Sequence, residues 1–489
     1  MVFSSIVFIF IFLPIVLFIF HLSGKKLQFP FLLLSSLFFY FYGETYLIWI
    51  MLTTTTIDYF CGLMIVGAYN RKNDIPLEEN AERTRPQRFW LVVSIVSNLA
   101  LLGYFKYFNF FTDNLIHALD QLNMQHLMLN NFIKVSLPLG ISFYTFQSMS
   151  YTIDVYRGHV AANRSYVKFA TFVTMFPQLV AGPIVRYADI EKQLNNHSTS
   201  FDGFVEGIKS FIIGLAKKIL IANTMGGIAD QIFALHGKDL STSIAWLGLF
   251  AYSLQIYYDF SGYSCMAIGL GKMIGFEFIE NFNYPYTSGS LTEFWRRWHI
   301  SLSSWFRDYL FIPLGGSRSK PIKTYRNLFI VFLLCGLWHG ASWNFIIWGM
   351  FHGLLLSVER MGFAKWLYAK PKPFKHIYFI FVILISWVFF RIEALNGSFG
   401  YLSSLFIYHP AGTYQLVEFL QPEMLLAYGI GIVFALPVLP RFLKYKESLP
   451  SRYSLIFESL YITALFILLF MSIINLAAGS FNPFIYFRF

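Results

Sequence analysis

The feature that most restricts the fold of this chain is a series of apolar segments, each long enough to cross a lipid bilayer. A membrane-spanning helix needs about 20 mostly apolar residues. Segments of that kind occupy 3–22, 89–111, 132–153, 326–357, 375–390, 424–440 and 456–477. Only 13% of the 489 residues are charged, whereas an ordinary soluble domain has roughly 25%. We therefore expect an all-α, polytopic membrane protein in contact with lipid.

The positions of the basic residues indicate the orientation of the loops across the membrane and do not indicate a nucleic-acid-binding surface. The formal charge is +11, but the Lys and Arg residues are spread over short loops and form no single basic face, so we expect no nucleic acid as a partner. Cytoplasmic loops are rich in Lys and Arg. Lys25 and Lys26, and the loops 69–88, 360–375 and 441–452, are basic, whereas 112–131 and 392–423 contain neither residue type. This pattern predicts that both termini are extracytoplasmic.

We interpret residues 1–489 as a single transmembrane domain with an irregular core. Prolines and polar clusters such as FWRRWHISLSSWFRDY interrupt the apolar pattern in the middle of the chain. Broken backbone at membrane depth is tolerated where protein buries it or where it lines a watery cavity. The sequence thus predicts N-terminal spans in 1–165, a core of re-entrant and broken helices around a central cavity in 166–358, C-terminal spans in 359–479 and an aromatic tail in 480–489.

His339 is the first candidate for a chemical role. It lies in LLCGLWHGASWNFIIWG, with no Lys, Arg, Asp or Glu between Arg326 and Glu359. An ionisable residue deep in an apolar stretch suggests function, because its burial costs free energy. Gly336 and Gly340 leave room for a substrate to approach. The alternative is a neutral histidine that is hydrogen-bonded to a backbone carbonyl.

His299 is the second candidate, and it lies in a dense basic cluster. Helical spacing would place it on one face with Arg296 and Ser303, and would pair Glu293 with Arg297. One interpretation is an interfacial helix with its own ion pairs. The other is a phosphate-binding surface, since guanidinium groups suit phosphate. The donor-binding candidates are Arg296, Arg297, Arg307 and Trp298.

Further residues are candidates for the lining of the cavity or for the packed core. The cavity-lining candidates are Asp259, Ser261, Asn344 and Trp338. Asp259 and Arg186 are charges inside apolar runs, and each needs a partner or a cavity. His352 is interpreted as structural, because Ala341-Ser342-Trp343-Asn344 resembles a turn that separates it from His339. Cys335 is interpreted as inert core, and the three cysteines show no spacing typical of a metal site or disulfide.

An ordered set of motifs resembles the bacterial membrane-bound O-acyltransferase (MBOAT) family. The motifs are PLGISFYTFQSMSYTIDVYRG, FPQLVAGPIVRY, IGLAKKILIANT, YYDFSGYS, ENFNYPY, TEFWRRWHISLSSWFRDYLFIPLGG and GLWHGASWNFIIWG. Within the family the chain is most similar to alginate O-acetylases and peptidoglycan O-acetyltransferases. The resemblance implies a funnel in the bacterial inner membrane, with a cytoplasmic and an outer opening that meet near an essential histidine. That residue corresponds to His339, and the second family histidine to His299.

The resemblance also implies partners and a route for the acyl group. The partners would be an exported polysaccharide acceptor and a separate extracytoplasmic acetyltransferase. PFIYFRF resembles an aromatic motif whose tyrosine is a proposed acyl carrier, which makes Tyr486 the candidate. The sequence departs from the family where Cys265 follows DFSGYS in place of the usual Asp.

Together these observations predict an O-acetyltransferase that passes an acetyl group from a cytoplasmic thioester, acetyl-CoA, across the membrane to an envelope polysaccharide. No permanently bound cofactor or metal is expected. His339 would be the general base, and His299 would orient a substrate or stabilise an oxyanion. The alternatives are a transporter or flippase without transferase chemistry, and a non-catalytic scaffold of an export complex.

Overall fold

The computed structural model describes residues 1–489 except 74, 80, 125–133, 319, 411, 449, 480, 481, 483, 484 and 486–489. In this part of the chain the regular elements are helices, and the predicted all-α class is confirmed. The helices are α1 (Leu13–Leu22), α2 (Lys25–Glu44), α3 (Ile48–Asn73), α4 (Arg85–Gln121), α5 (Ile141–Arg157), α6 (Tyr166–Thr174), α7 (Phe176–Leu179), α8 (Tyr187–Asn195), α9 (Phe201–Ala216), α10 (Asn223–Phe233), α11 (Thr242–Met273), α12 (Leu291–Phe294), α13 (Ile300–Phe306), α14 (Pro321–His339), α15 (Trp343–Val358), α16 (Ala364–Tyr368), α17 (Lys372–Arg391), α18 (Leu395–Phe406), α19 (Pro422–Phe434), α20 (Val438–Glu447) and α21 (Ser451–Ala477).

Several helical stretches are long and apolar enough to cross a bilayer, which confirms a polytopic membrane protein. In the described part these are Lys25–Gly67, Arg85–Gln121, Phe201–Phe233, Lys372–Arg391 and Tyr453–Ala477, together with α19 and α20, a pair bent by 59°. The apolar segments read from the sequence omitted the first and third of these stretches. Serines and threonines dilute the hydropathy of α2 and α3, and Asp202, Glu206 and Lys209 begin the third.

Small residues let the longest core helix approach its neighbour. A Cβ on Gly214 of α9 would lie 2.6 Å from the backbone oxygen of Gly262 in α11, and one on Gly207 would lie 2.6 Å from that of Gly269. Such close backbone approach is typical of helix contacts in membranes. It makes α9 and α11 a tightly packed pair on which the rest of the core is built.

The middle of the chain is broken into short helices, as its prolines and polar clusters predicted. The helices α6, α7 and α8 cover 166–195, and α12 and α13 flank a turn at 295–299. The apolar segment 326–357 is divided at 340–342, where α14 ends and α15 begins. The predicted turn at 341–344 is confirmed for Ala341 and Ser342, whereas Trp343 and Asn344 already belong to α15. The Ser342 hydroxyl caps α15 by accepting from the N–H of Phe345 at 3.4 Å.

The predicted continuous helix through FWRRWHIS is wrong. His299 has φ 45° and ψ 55°, in the left-handed region, and α13 begins only at Ile300. The shared face of Arg296, His299 and Ser303 therefore does not exist. The Glu293–Arg297 pair is confirmed at 3.0 Å, because those two residues lie before the break.

Candidate active site

His339 is the last residue of α14 and is 2% exposed. Four aromatic rings surround its imidazole: Trp338, Trp348 and Phe390 with ring centroids 5.0–5.1 Å away, and Phe345 at 6.4 Å. In the described part of the chain its Nδ1 is buried without a hydrogen-bond partner. Buried polar atoms are nearly always paired, so this unpartnered nitrogen is a candidate contact for a bound group.

His299 is fully buried, and one neighbour sets its tautomer. Its Nδ1 lies 3.2 Å from the amide oxygen of Asn281, which also accepts from the N–H and hydroxyl of Ser301 at 3.2 and 2.9 Å. An amide oxygen only accepts, so Nδ1 carries the proton and Nε2 keeps its lone pair. That Nε2 is buried and unpartnered within the described residues. The left-handed backbone of His299 costs about 1–3 kcal/mol, and residues with such strain cluster at functional sites.

Trp338 lies between the two histidines. Its ring centroid is 5.9 Å from that of His299 and 5.0 Å from that of His339. The indole N–H donates to the backbone oxygen of Ser142 in α5 at 3.4 Å. The structure thus brings together His299, His339 and Trp338, three of the residues that the sequence singled out.

A cavity of about 670 Å³ is lined by residues of α13, α14 and α15, but by neither of the two histidines. Arginines surround part of it, and we call it the arginine-rimmed cavity. The arginines are Arg296, Arg307 and Arg360, and the apolar lining includes Leu302, Phe306, Val331, Phe332, Cys335 and Leu356. Cys335 precedes His339 by four residues on α14, about 6 Å along the helix axis. The cavity therefore ends one helical turn from the catalytic candidate.

Two indole rings separate the arginine-rimmed cavity from His339. Trp295 lines the cavity and packs on Trp348 at 5.8 Å, and Trp348 packs on His339 at 5.1 Å. The Trp295 N–H donates to Nδ1 of His352 at 3.3 Å, so His352 lies in the wall behind the cavity. Sequence reasoning missed Trp295, because it gave the tryptophan role to Trp298, whereas the turn at 295–299 brings Trp295 to the cavity.

The candidate arginines differ in their partners. Arg297 pairs with Glu293 and does not line the cavity, and Arg307 pairs with Asp308 at 2.7 Å. Asp308 also pairs with Arg186 at 2.7 Å. Asp308 is thus the partner that the sequence required for the charge of Arg186.

Trp298 lies in an aromatic core and not at the arginine-rimmed cavity. It is 2% exposed, and its ring centroid lies 5.1 Å from Phe282, 5.2 Å from Trp387 and 5.3 Å from Phe294. The structure thus puts Trp295 where the sequence placed Trp298. Arg296 is exposed, lines the cavity and has no ion-pair partner within the described residues.

The other cavity-lining candidates lie elsewhere. Asp259 forms a buried ion pair with Lys218 at 2.7 Å, and the Ser261 hydroxyl is buried without a described partner. The Asn344 amide donates to Ser398 at 3.0 Å and so joins α15 to α18. None of the three lines the arginine-rimmed cavity. Within the described ranges no three His, Cys, Asp or Glu side chains converge as metal ligands would.

Tyr486 lies outside the described residues, but two positions of the tail before it are described. The amide of Asn482 donates to the backbone oxygen of Ser4 at 2.8 Å, and its oxygen accepts from Asn223 at 3.2 Å. The N–H of Ile485 donates to Asp259 at 2.8 Å. These positions of the tail lie against the start of the chain and against α10 and α11.

Comparison with known proteins identifies the family. A sequence model of MBOAT, the membrane-bound O-acyltransferase family, matches residues 37–399. The probable alginate O-acetylase AlgI of Pseudomonas putida is 42% identical over 508 residues, covering 100% of both chains. The AlgI of Pseudomonas aeruginosa is 45% identical over 86% of this chain and 76% of its own. The peptidoglycan O-acetyltransferase of Helicobacter pylori is 35% identical over 83% and 80%. This chain belongs to the membrane-bound O-acyltransferase family and is an acyltransferase.

Proposed function

We propose that this protein transfers an acetyl group from a cytoplasmic thioester, acetyl-CoA, to a hydroxyl on the outer side of the membrane, for O-acetylation of an exported envelope polysaccharide. The observation that carries the proposal is the arginine-rimmed cavity, which ends one turn from a buried histidine with an unpartnered nitrogen. The names of the relatives, which include alginate O-acetylases and a peptidoglycan O-acetyltransferase, support a glycan acceptor.

The arginine-rimmed cavity suits the donor. Its volume lies within the roughly 300–1,000 Å³ of small-molecule sites, and its apolar interior suits an acyl arm. Guanidinium groups bind phosphate oxygens in a fork. Arg360 begins the loop 360–375, which the charge pattern assigns to the cytoplasm, and Arg296 lines the same cavity. The donor phosphates rest at these arginines, and the thioester extends past Cys335 after Trp295 and Trp348 move aside.

His339 is the general base in this scheme. Its imidazole takes the proton of the attacking hydroxyl, whose oxygen bonds to the thioester carbonyl carbon. The C–S bond then breaks, and the imidazolium returns the proton to the leaving thiolate. Because its Nε2 keeps a lone pair, His299 accepts a hydrogen bond from the acceptor hydroxyl and orients it; as the neutral tautomer it is not an oxyanion donor at that nitrogen.

The outer half of the reaction uses the tail and a partner. We propose Tyr486 as the hydroxyl that first receives the acetyl group, with hand-over to the polysaccharide by a separate extracytoplasmic acetyltransferase. The contact of Asn482 with Ser4 supports both ends of the chain lying at one face. The charge pattern makes this the outer face of the inner membrane.

The test uses full-length protein in proteoliposomes with acetyl-CoA, an acetylatable polysaccharide and the extracytoplasmic acetyltransferase on the outer side. Thiol release by the wild type and its loss by at least about 1,000-fold in His339→Ala are the expected results. A transporter or flippase would move substrate and release no thiol. A scaffold would tolerate His339→Ala without change in polysaccharide acetylation, and either result would overturn the proposal.

A further inference from the structure

Lys106 is a buried lysine that the proposed chemistry does not use. It lies in α4, within an apolar span, and is 7% exposed. Taking an ammonium group out of water costs several kcal/mol, so the site must offset that cost. No Asp or Glu pairs with it in the described part of the chain. Its Nζ instead donates to the backbone oxygen of Trp338 and, at 3.1 Å, to the Ser142 hydroxyl.

The acceptor of this hydrogen bond is at the C-terminal end of α14. The last carbonyls of a helix have no partner within the helix, and they carry partial negative charge. Tyr107, the next residue of α4, donates to the carbonyl of Leu337 at 2.5 Å. Two consecutive side chains of α4 therefore cap two consecutive carbonyls of α14. The following residue of α14 is His339.

Lys106 also holds the ring that separates the two histidines. Its Nζ lies 5.8 Å from the centre of the Trp338 ring, in cation–π geometry. The hydroxyl of Ser142 accepts from Lys106, and the backbone oxygen of Ser142 accepts from the indole N–H of Trp338. Both ends of Trp338 are therefore fixed to α4 and α5. A shift of the Trp338 ring would disturb its contacts with both His299 and His339.

We propose that Lys106 is a positioning residue for acyl transfer, which holds the end of α14 and the Trp338 ring so that His339 and His299 face one substrate. The inference rests on the proposed role of His339. Lys106 acts through Trp338 and the helix end and contacts no substrate. A misplacement of about 1 Å in a catalytic group lowers a rate by about 100-fold, and this is the size of effect that the contacts of Lys106 prevent.

The experiment compares Lys106→Met with Tyr107→Phe in full-length protein in proteoliposomes. Lys106→Met keeps the side-chain length but removes the charge and the donors. Tyr107→Phe removes the adjacent cap alone and is the matched control. We expect Lys106→Met to lower kcat for thiol release by about 100-fold with the donor KM within about threefold of the wild type, and Tyr107→Phe to lower kcat by less than about fivefold. Lys106→Arg, which keeps the charge and donors, should recover kcat to within about tenfold.

A purely structural cap would give another result. It would lower the yield or melting temperature of the Lys106→Met protein but leave kcat per folded molecule within about threefold of the wild type, which would overturn the proposal. Equal loss of kcat in both variants would also overturn it. If Lys106→Met is not monodisperse, Lys106→Gln takes its place with the same expected and contrary results. His339→Gln is measured in parallel: if it stays active, the proposed function fails, whereas an active Lys106→Met beside an inactive His339→Gln rejects the positioning role alone.

Discussion

Arg296 and Arg297 offer a matched pair for testing the donor site. They are adjacent, but only Arg296 lines the arginine-rimmed cavity, whereas Arg297 is bound to Glu293 at 3.0 Å. Replacing each by Gln removes one positive charge and keeps a polar side chain. If the cavity holds the donor phosphates, the two substitutions should differ in their effect on donor affinity.

The magnitude follows from the exposure of Arg296. A hydrogen bond to a charged group contributes about 1.5–3 kcal/mol, but an exposed ion pair is worth only about 0.2–1 kcal/mol. Arg296 is exposed, so about 1 kcal/mol is expected, which is about fivefold in affinity. Arg296→Gln should therefore raise the donor KM about fivefold with kcat within twofold. Arg297→Gln should leave the donor KM within twofold, because neither Arg297 nor its partner Glu293 lines the cavity.

The assay is thiol release at varied acetyl-CoA, at low and at high ionic strength. Salt screens exposed charges, so the difference in KM between Arg296→Gln and the wild type should shrink at high salt. Equal changes of KM in the two variants, or a change in Arg297→Gln alone, would refute the assignment of the arginine-rimmed cavity to the donor.

Two further predictions follow from packing. Val331→Phe adds a ring to the cavity and should raise the donor KM at least about tenfold at little cost in stability. Ile330→Phe, one residue away and not lining the cavity, should leave the donor KM within twofold. Titration of acetyl-CoA checks both variants. Gly214→Ala forces a Cβ to 2.6 Å from a backbone oxygen of α11 and should destabilise the fold by about 1–3 kcal/mol. Gly227→Ala, where nothing lies within 4 Å of the added Cβ, should leave the stability of the fold unchanged. Thermal unfolding in detergent measures both variants, and equal melting temperatures would contradict the prediction.

Much of the fold could be predicted, because it depends on local composition. Low charge and long apolar runs required membrane helices, and prolines and polar clusters marked where the core is broken. The turn at Ala341 and Ser342 was visible as a run of small and polar residues. The Glu293–Arg297 pair was predictable because it lies within one local turn.

The parts that could not be predicted depend on contacts between distant residues. The left-handed backbone of His299 is supported by Asn281, whose amide oxygen binds Nδ1 and caps α13 through Ser301. Helical spacing therefore placed His299 on the face of Arg296 and Ser303, and the sequence placed Trp298 in the wrong surroundings. Lys106 drew no notice, because a lysine near the end of an apolar segment resembles one that reaches the interface. Its partner, Trp338, is 232 positions away.

The central claim is that an acetyl group crosses the membrane while coenzyme A stays on the cytoplasmic side. The most direct measurement uses proteoliposomes with acetyl-CoA labelled differently in the acetyl group and in the adenine, supplied on the cytoplasmic side only. The account predicts that acetyl label appears in polysaccharide enclosed on the other side together with the extracytoplasmic acetyltransferase, that adenine label does not cross, and that His339→Ala abolishes the transfer. Adenine label crossing together with the acetyl label, or transfer that continues in His339→Ala, would contradict it.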